Sequence, residues 1–371
     1  MLVFQNLLKA GVRRIPIILL LVLSSCTFAI RTPVFPTPRA VKPSLFRGVF
    51  HVHTKYSHDS KAPLDLVIKT TGQAGLDFVI VTDHNNMNGV RPYEKMNKPN
   101  RPLLIFGDEI STWHDGHLVA IGIREKPPNI ERTQEIIDWI HAAGGYAIPA
   151  HPFSLRKPWT NWKIKNFDGI EIFSLSDIFY TNNVVMLLAK ALFLPPKAFL
   201  KSVLKTPEPA LKLWDEQLSS GRRIAAFGSV DAHLKKLWHG FHPENYLLYF
   251  QAVTMYVLTD ELKKEKIVEA LGGGRSFIAF EVYGVAQDFS FSAEVGNQKF
   301  GPGDSIMGSP AISLKIKAPK RADIRLIHNG ALMEQNEGEA LEREVSQPGY
   351  YRVEVYLKDK LWIVSNPIYV E

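Results

Sequence analysis

The sequence predicts an α/β fold in which a barrel-like first part is followed by a small all-β sandwich. Two observations support this prediction. From Phe46 onward, short apolar segments alternate with segments of helical periodicity, which is the pattern of strands that pair in parallel and are joined by helices. From about Tyr283 the helical signals stop, and short strands separated by Gly, Pro and Asn turns remain.

The N-terminal residues have the order of a secretory signal. Basic residues up to Arg14 precede an apolar run over residues 15–23, which is too short to cross a bilayer, and two serines then lead to Cys26. Leu23 to Cys26 resembles the lipobox of bacterial lipoproteins, which implies that residues 1–25 are removed and that Cys26 is lipidated. An ordinary signal with a chance cysteine, or a buried structural cysteine, is the alternative. Residues 26–44 contain four prolines and predict an extended tether.

Composition excludes several classes of protein. The chain has 371 residues, a net charge of +7 and 46% hydrophobic residues, which is enough for packed cores. Three of the seven net charges lie in residues 1–25, which leaves +4 on the mature chain, too little to indicate a nucleic-acid partner. The single cysteine excludes an intramolecular disulfide. We therefore expect an exported lipoprotein whose folded part is held near a membrane, and we make no prediction of its oligomeric state.

The first part of the chain predicts seven strands and two clear helices. The helices are Pro63–Ala74 and Glu131–Ala143, each closed by glycine. The strands are Val49–His53, Phe78–Val81, Leu103–Phe106, Leu118–Ile123, Tyr146–Ala150, Gly169–Phe173 and Ile224–Phe227. Residues 177–207, which we call the insert, interrupt this alternation and predict two short helices around Pro195-Pro196. These helices either pack on the body of the protein or form a lid or membrane-facing surface.

The last part of the chain predicts a sandwich. The strands that can be recognised are Ile312–Ile316, Ile324–His328, Tyr350–Tyr356 and Leu361–Val364, and Asn329-Gly330 predicts a hairpin turn after the second of them. We therefore expect a first domain over residues 45–281 and a second domain over residues 282–371.

Metal-ligating side chains follow strand after strand at the same end. His51 and His53 lie two apart on the first strand, so both point to one face. Later strands are followed by Asp83 and His84, by Glu109, by His151, and by Asp231 and His233. The carboxyl ends of parallel strands in a barrel meet at one mouth, where chemistry gathers. Such ligands are costly to bury unless something binds them, so the sequence predicts an enclosed cluster of divalent metal ions used for hydrolysis.

These motifs resemble those of the PHP (polymerase and histidinol phosphatase) superfamily. The match consists of His51-Val52-His53-Thr54, Ser57-His58-Asp59, Thr82-Asp83-His84-Asn85, Glu109, His151-Pro152 and Asp231-Ala232-His233. The resemblance implies a distorted (β/α)7 barrel with two or three metal ions at its mouth. The segments 349–355 and 366–370 are similar to the C-terminal segments of exported metallohydrolases of the carbaryl-hydrolase-like group.

Carried over by position, the resemblance implies three groups of ligands. The first ion would be held by His51, His53, Glu109 and Asp231. The second would be bridged by Glu109 and held by His117 and His151, and the third would be held by Asp59, His84 and His233. Mixed imidazole and carboxylate ligands suit Zn, Mn or Fe without preference.

Two ligands in this set have competitors, and two carboxylates outside the set have other expected roles. His58 competes with Asp59, and we favour Asp59 because a small residue follows it. His114 competes with His117, and we favour His117 because it opens a strand whereas His114 lies in a polar loop. Asp83 is expected to orient a ligand imidazole rather than to bind metal. Glu171, in a segment that also resembles the family, is expected to have a structural or orienting role.

The expected chemistry is hydrolysis through the metal centre, with Glu109, Asp231 and His151 as the residues on which turnover depends. Two ions that share a solvent molecule lower its pKa from about 15.7 towards about 7. Because this water is then the nucleophile, no protein nucleophile is needed. The folded part accordingly has no Gly-x-Ser-x-Gly motif and no cysteine. We expect a small-molecule phosphoester as the substrate, because most of the superfamily acts on phosphoesters. The alternatives are a carboxyl or carbamate ester or an amide, and a non-catalytic metal-containing binding lipoprotein.

Overall fold

The computed structural model describes residues 45–96, 102–234, 245–308 and 311–371. The predicted signal, Cys26 and the tether lie outside the described residues. The helices among these residues are α1 (Leu64–Gln73), α2 (Val90–Met96), α3 (Thr133–Ala142), α4 (Ile178–Thr181), α5 (Val184–Phe193), α6 (Pro196–Val203), α7 (Glu208–Ser219), α8 (Tyr246–Phe250) and α9 (Lys264–Gly272). Within the described ranges, we find no helix that is long and apolar enough to cross a membrane.

Seven strands of the first part surround a common core. They are β1 (Leu45–Val52), β2 (Phe78–His84), β3 (Leu103–Ser111), β4 (His117–Ile121), β5 (Tyr146–Pro149), β6 (Gly169–Ser174) and β7 (Ala225–Ala232). Strand β1 pairs in parallel with both β2 and β7, β2 pairs in parallel with β3, and β6 pairs in parallel with β7. These strands are buried almost throughout, as expected of parallel strands covered on both faces. The mixed α/β fold is therefore confirmed.

Strand β4 departs from the expected parallel pairing, because it runs antiparallel to both β3 and β5. The connection from β3 to β4 is only residues 112–116, and the Thr112 N–H donates a hydrogen bond to the Gly116 carbonyl at 3.0 Å. A loop of this length turns the chain back and leaves no room for a crossover helix. Glycine at position 107 allows the close approach of the two strands, since a Cβ there would lie 2.3 Å from the Ala120 carbonyl oxygen.

The insert forms helices α4, α5 and α6. The predicted break at Pro195-Pro196 is confirmed, because α5 ends at Phe193 and α6 begins at Pro196. Helix α5 begins at an Asn183 cap, whose side chain accepts hydrogen bonds from the Val185 and Met186 N–H groups.

The C-terminal region is rich in β-structure. Its strands are β10 (Ser290–Val295), β11 (Gln298–Phe300), β12 (Ser305–Ile306), β13 (Ile312–His328), β14 (Ala331–Val345), β15 (Gly349–Leu357), β16 (Lys360–Ser365) and β17 (Ile368–Val370). The two strands expected over residues 312–328 are one strand with an irregular register between Lys317 and Ala322. The hairpin predicted at Asn329-Gly330 is confirmed, and both turn residues have positive φ, 49° and 79°, as a tight β-hairpin requires.

The two parts of the chain share strand pairing. Strand β1 pairs with β8 (Thr254–Leu258), β8 pairs with β9 (Ser276–Ala279), and β9 pairs with β16, all antiparallel. The Arg352 side chain of β15 also contacts Asp215 of α7, with Nε 2.8 Å from Oδ1 and a second guanidinium nitrogen 2.6 Å from Oδ2. The domain boundary after residue 281 stays a prediction. The pairing of β9 with β16 and the contact of Arg352 with Asp215 both join residues from opposite sides of this boundary.

Candidate metal centre

The predicted ligands converge on one buried carboxylate, that of Glu109. The registers place it there, because Glu109 lies opposite His84 on β2 and opposite Val119 on β4, two residues from His117. Oε1 of Glu109 lies 2.6 Å from His117 Nδ1 and 3.0 Å from His151 Nε2. Oε2 lies 3.1 Å from a nitrogen of each of three further imidazoles, those of His51, His53 and His84. Glu109 thus contacts five histidines that come from four different segments of the chain.

The remaining predicted ligands complete this cluster. Asp231 Oδ1 lies 3.2 Å from His53 Nε2 and 3.4 Å from His233 Nδ1. Asp59 Oδ2 lies 2.9 Å from His233 Nε2 and 3.5 Å from His84 Nε2. All nine residues that the sequence singled out as metal ligands are therefore brought together.

Ligand atoms within these residues form three groups in which all atoms lie within 4.8 Å of one another. The groups are His51, His53, Glu109 and Asp231; His84, Glu109 and His117; and His53, Asp59, His84 and His233. The first has the predicted membership, and the third adds His53 to the three predicted residues. In the second, His84 stands where His151 was expected, although His151 Nε2 lies 3.0 Å from Glu109 Oε1. The assignment of each ligand to an ion remains a prediction.

Three of these residues have unusual backbone conformations. His51, His151 and Asp231 have positive φ angles of 68°, 28° and 43°. The left-handed region is unfavourable for side chains with a Cβ, and such residues cluster at functional sites because the surroundings hold them there. At His51 the register of β1 against β2 and β7 shifts, so the residue forms a bulge. The bulge departs from the regular strand that we expected, yet the rings of His51 and His53 still lie 5.1 Å apart and share contact with Glu109.

Glu171 and Asp83 hold the ligands in place without joining any of the three groups. Glu171 Oε1 lies 2.6 Å from His51 Nδ1, and its Oε2 accepts a hydrogen bond from the His151 N–H at 2.8 Å. Asp83 accepts hydrogen bonds from the N–H and the hydroxyl of Thr54, which follows His53. The position of Glu171 fits the orienting role expected from the sequence, whereas the hydrogen bonds of Asp83 go to Thr54 rather than to a ligand imidazole as expected.

His58 and His114, the two histidines that competed with Asp59 and His117 as predicted ligands, lie at the edge of the cluster. His58 is exposed and its ring is tilted by 41° to that of His84 with the ring centres 4.9 Å apart, whereas Asp59 contacts both His84 and His233. His114 is exposed in the loop between β3 and β4, outside the three groups, whereas His117 contacts Glu109. The geometry therefore favours Asp59 and His117 as ligands over their competitors.

Opposing charges dominate the electrostatics of the centre. Burial alone would raise the pKa of Glu109, but the imidazoles of His51, His117 and His84 hold the pKa of this carboxyl well below its usual value. The same competition, with His233 and His51 as the imidazoles, holds the pKa of Asp231 well below its usual value. Burial opposes protonation of His151, but its hydrogen bond to Glu109 raises its pKa to about 9. Without metal these directions favour ionised Glu109 and Asp231 and a protonated His151, whose proton a divalent cation would displace.

The donor atoms fit metal ions. Four of them, Nε2 of His51, Nε2 of His53, Nδ1 of His84 and Oε2 of Glu109, are buried and have no hydrogen-bond partner. A buried polar atom without a partner costs about 1–3 kcal/mol, so four at one point need a common partner. Imidazole nitrogen mixed with carboxylate oxygen is the ligand chemistry of Zn, Mn and Fe.

A cavity of about 170 Å³ adjoins the cluster. His151 and Glu171 lie on its inner side, and the insert contributes Ile178, Val203 and Lys205 to its other walls. Asp177 also lines it, and burial raises the pKa of that carboxyl to about 6. The insert therefore builds the space in which a substrate could contact the centre.

The sequence reasoning missed Ser176. Its hydroxyl donates a hydrogen bond to Asp231 Oδ2 at 2.5 Å and so fixes that carboxylate. The sequence contained a signal for this residue, because the apolar strand β6 ends at Ser174, and Ser176 and Asp177 follow it in the same way that the ligands follow other strands.

The fold and this cluster define a class of protein: an α/β protein that carries three overlapping groups of side chains able to bind metal ions. The family model of the PHP domain matches residues 50–166, which include His51, His53, Asp59, His84, Glu109, His117 and His151. This segment of the chain is therefore similar to the PHP domain, and it carries seven of the nine side chains that the sequence motifs singled out as metal ligands.

Individual relatives are distant. An uncharacterized protein of Methanocaldococcus jannaschii is 29% identical over 136 residues, which are 33% of this chain and 79% of that protein. A two-domain protein of Bacteroides vulgatus, described as containing a PHP-like metal-dependent phosphoesterase, superposes with a TM-score of 0.44 at 14% identity, over 91% of this chain and all of that one. A protein of Bifidobacterium adolescentis described as a metal-dependent phosphoesterase gives a TM-score of 0.34 at 13% identity, over 53% of this chain and 91% of that one. These scores carry no argument about activity.

Proposed function

We propose that this chain is an exported, lipid-anchored hydrolase that depends on two or three divalent metal ions, and that phosphoesters are its substrates. The observation that carries the proposal is the position of Glu109, which belongs to two of the three ligand groups and contacts histidines through both carboxylate oxygens. A structural metal site is usually closed around one ion, whereas a shared carboxylate is what two neighbouring cations require. Export and anchoring are proposed from the order of residues 1–44.

The architecture belongs to the same proposal. We take strands β1 to β7 as a distorted (β/α)7 barrel, because β1 pairs with both β2 and β7 and the Asp168 N–H donates a hydrogen bond to the Ala147 carbonyl at 2.8 Å, which links β5 to the start of β6. We take residues 282–371 as a β-sandwich. In this arrangement the sandwich supplies no metal ligand.

The residues of the chain have separate tasks in the proposed mechanism. Glu109 and Asp231 supply negative charge, and the histidines supply the neutral nitrogen ligands. When bound, the ions would lower the pKa of water to near neutrality and withdraw negative charge from the substrate oxygen. Glu171 keeps Nε2 of His51 directed at the centre by binding its Nδ1, and Ser176 fixes Asp231 in the same manner. The cavity beside His151 would receive the substrate and exclude water from part of the bound substrate.

A second candidate substrate class has its own support. Apart from the metal-ligand candidate His151, Lys205 is the one cationic side chain among the described residues that line the cavity, and most of the others are apolar. A pocket of this kind holds a carboxyl or carbamate ester as readily as a phosphoester, because no cluster of arginines selects for phosphate.

The test is a hydrolysis panel on the full chain in detergent. Chromogenic phosphomonoesters and phosphodiesters are set against carboxyl and carbamate esters, first with chelator and then with Mn, Zn or Fe added. Asp231→Asn and His151→Ala should each lower kcat by about 10²-fold or more, because the interactions lost act on charge that develops in the transition state. His114→Ala is the matched control and should leave kcat unchanged, since His114 is exposed outside the ligand groups.

The possible results separate the candidates. Phosphoester cleavage that disappears with chelator and returns with metal supports the proposal. Cleavage of carbonyl esters alone keeps the metal-dependent hydrolase and overturns the substrate class. A metal-loaded protein that cleaves nothing in the panel favours a non-catalytic metal-containing binding lipoprotein.

A further inference from the structure

Helix α5 of the insert turns large apolar side chains towards solvent. Val185, Met186, Leu188 and Phe193 are 66%, 42%, 49% and 79% exposed. These four are on one ten-residue helix, whereas the described remainder of the chain has six exposed large apolar side chains in all. Exposed apolar residues that are scattered singly need no explanation, but a contiguous group indicates a surface that binds something.

The neighbouring helix shows that this exposure is particular to α5. Helix α6 buries Phe199, Leu200 and Val203 and directs Lys201 and Ser202 outwards, which is the normal arrangement of a surface helix. Among the side chains described on α5, only Leu187 is buried. Packing against the protein therefore accounts for α6 but not for the composition of α5.

The segment that carries this apolar face has charges of one sign. Residues 178–207 contain four lysines and no acidic residue. Lys190 connects the two helices through a hydrogen bond from its ammonium group to the Ser202 carbonyl at 2.9 Å. Apolar side chains bordered by lysines are the composition of helices that lie in the plane of a membrane interface, where the lysines contact anionic headgroups.

We propose that the α5 face, defined by Val185, Met186, Leu188 and Phe193, docks on an anionic lipid bilayer. A protein partner would have no need for the uniform positive charge, whereas an anionic membrane attracts it. The chain before β1 is long enough for this contact even if Cys26 is the anchor. Residues 27–44 would span about 56 Å at about 3.1 Å per residue in a proline-rich extended form. The contact is independent of the proposed hydrolase activity, because no residue of the α5 face is a metal ligand.

The experiment measures the environment of single positions in the full chain bound to vesicles. In a Cys26→Ser background, Leu188→Cys is labelled with an environment-sensitive fluorophore. The matched control is Leu332→Cys, since Leu332 is 53% exposed on β14 and Leu188 is 49% exposed. Vesicles contain phosphatidylcholine alone or with 30% phosphatidylglycerol, with and without a quencher in the acyl chains. Whatever holds the rest of the chain at the vesicle, each label reports its own surroundings.

The proposal expects a blue shift and acyl-chain quenching at position 188 with anionic vesicles, reversed by high salt, and neither change at position 332. The same emission at both positions with anionic vesicles overturns the proposal. An equal response with neutral vesicles overturns the assignment to an anionic surface. A blue shift that appears without vesicles and grows with protein concentration assigns the face to a second copy of the chain, and one that is independent of concentration assigns it to a segment of the same chain.

Discussion

Replacing Glu109 with glutamine should remove most of the bound metal. Glu109 belongs to two of the three ligand groups, and the group formed by His53, Asp59, His84 and His233 does not contain it. Glutamine keeps the shape of the side chain but removes its charge, so both ions that share the carboxylate lose a ligand and their mutual repulsion is no longer offset. We expect the stoichiometry to fall from two or three ions per chain to one.

The magnitude can be bounded from below. Loss of a residue that only orients a metal ligand typically weakens metal binding about 10- to 100-fold. A carboxylate in contact with five imidazoles should matter at least as much, so we expect each of the two affected ions to bind about 100-fold more weakly, or about 2.7 kcal/mol each. The change is measured by elemental analysis of purified protein and by titration of the chelated protein with Zn or Mn.

Asp108→Asn is the matched control. Asp108 precedes Glu109 on β3, is equally buried and accepts a hydrogen bond from the Asn86 N–H, which asparagine could also accept. It belongs to none of the three groups, so this variant should retain the full stoichiometry. The reasoning is refuted if Glu109→Gln holds as many ions as the wild type, or if Asp108→Asn loses as many as Glu109→Gln.

Further predictions concern stability and anchoring. Burial raises the pKa of Asp108 from 3.8 to about 7, so the folded metal-free chain keeps a proton that the unfolded chain releases, and stability is lost as pH rises from about 4 to about 7. In urea unfolding of the chelated proteins, the free energy of unfolding of Asp108→Asn should therefore exceed that of wild type by up to about 4 kcal/mol at pH 8 and equal it at pH 3.5. The same pH dependence of this free energy in both proteins would contradict the prediction. Arg352→Leu leaves the buried Glu354 and the partly buried Asp215 without their cation and should cost about 3–5 kcal/mol. The loss for Arg343→Leu, whose guanidinium is half exposed, should be under about 1 kcal/mol, and equal losses would show that the pairs of Arg352 contribute little. Cys26→Ser should release the protein from lipidation and move it out of the membrane fraction, and a wild-type protein that is soluble with an unmodified N-terminus would exclude the anchor.

Much of the centre could be predicted because its ligands obey a local rule. A residue that ends a parallel strand lies at the barrel mouth whatever its neighbours are, so the positions of His51, His84, His151 and Asp231 could be predicted from strand ends alone. The choice of Asp59 and His117 over nearby histidines also rested on local sequence, and the structure places both close to the other ligands.

Other features depend on contacts between segments that are distant in the sequence. The reversal of β4 follows from the length of one loop together with the absence of a side chain at Gly107, and neither changes the hydrophobic pattern. Strand β14 was not predicted, because its many glutamates hide the alternation expected of a strand. It forms as the long partner of β13, whose apolar side chains supply the burial. The sharing of His53 and His84 between ligand groups depends on distances between side chains of different segments, which no sequence pattern encodes.

The left-handed backbone at His51, His151 and Asp231 has an evolutionary consequence. At each position glycine would relieve the conformation and asparagine would tolerate it, so the residues that the centre needs are residues that the fold alone would not select. A gene copy released from selection for activity would gain stability by drifting towards glycine or asparagine at these three positions. Descendants of this protein that have abandoned their chemistry should therefore be recognisable there first, while the buried strands on either side are still intact.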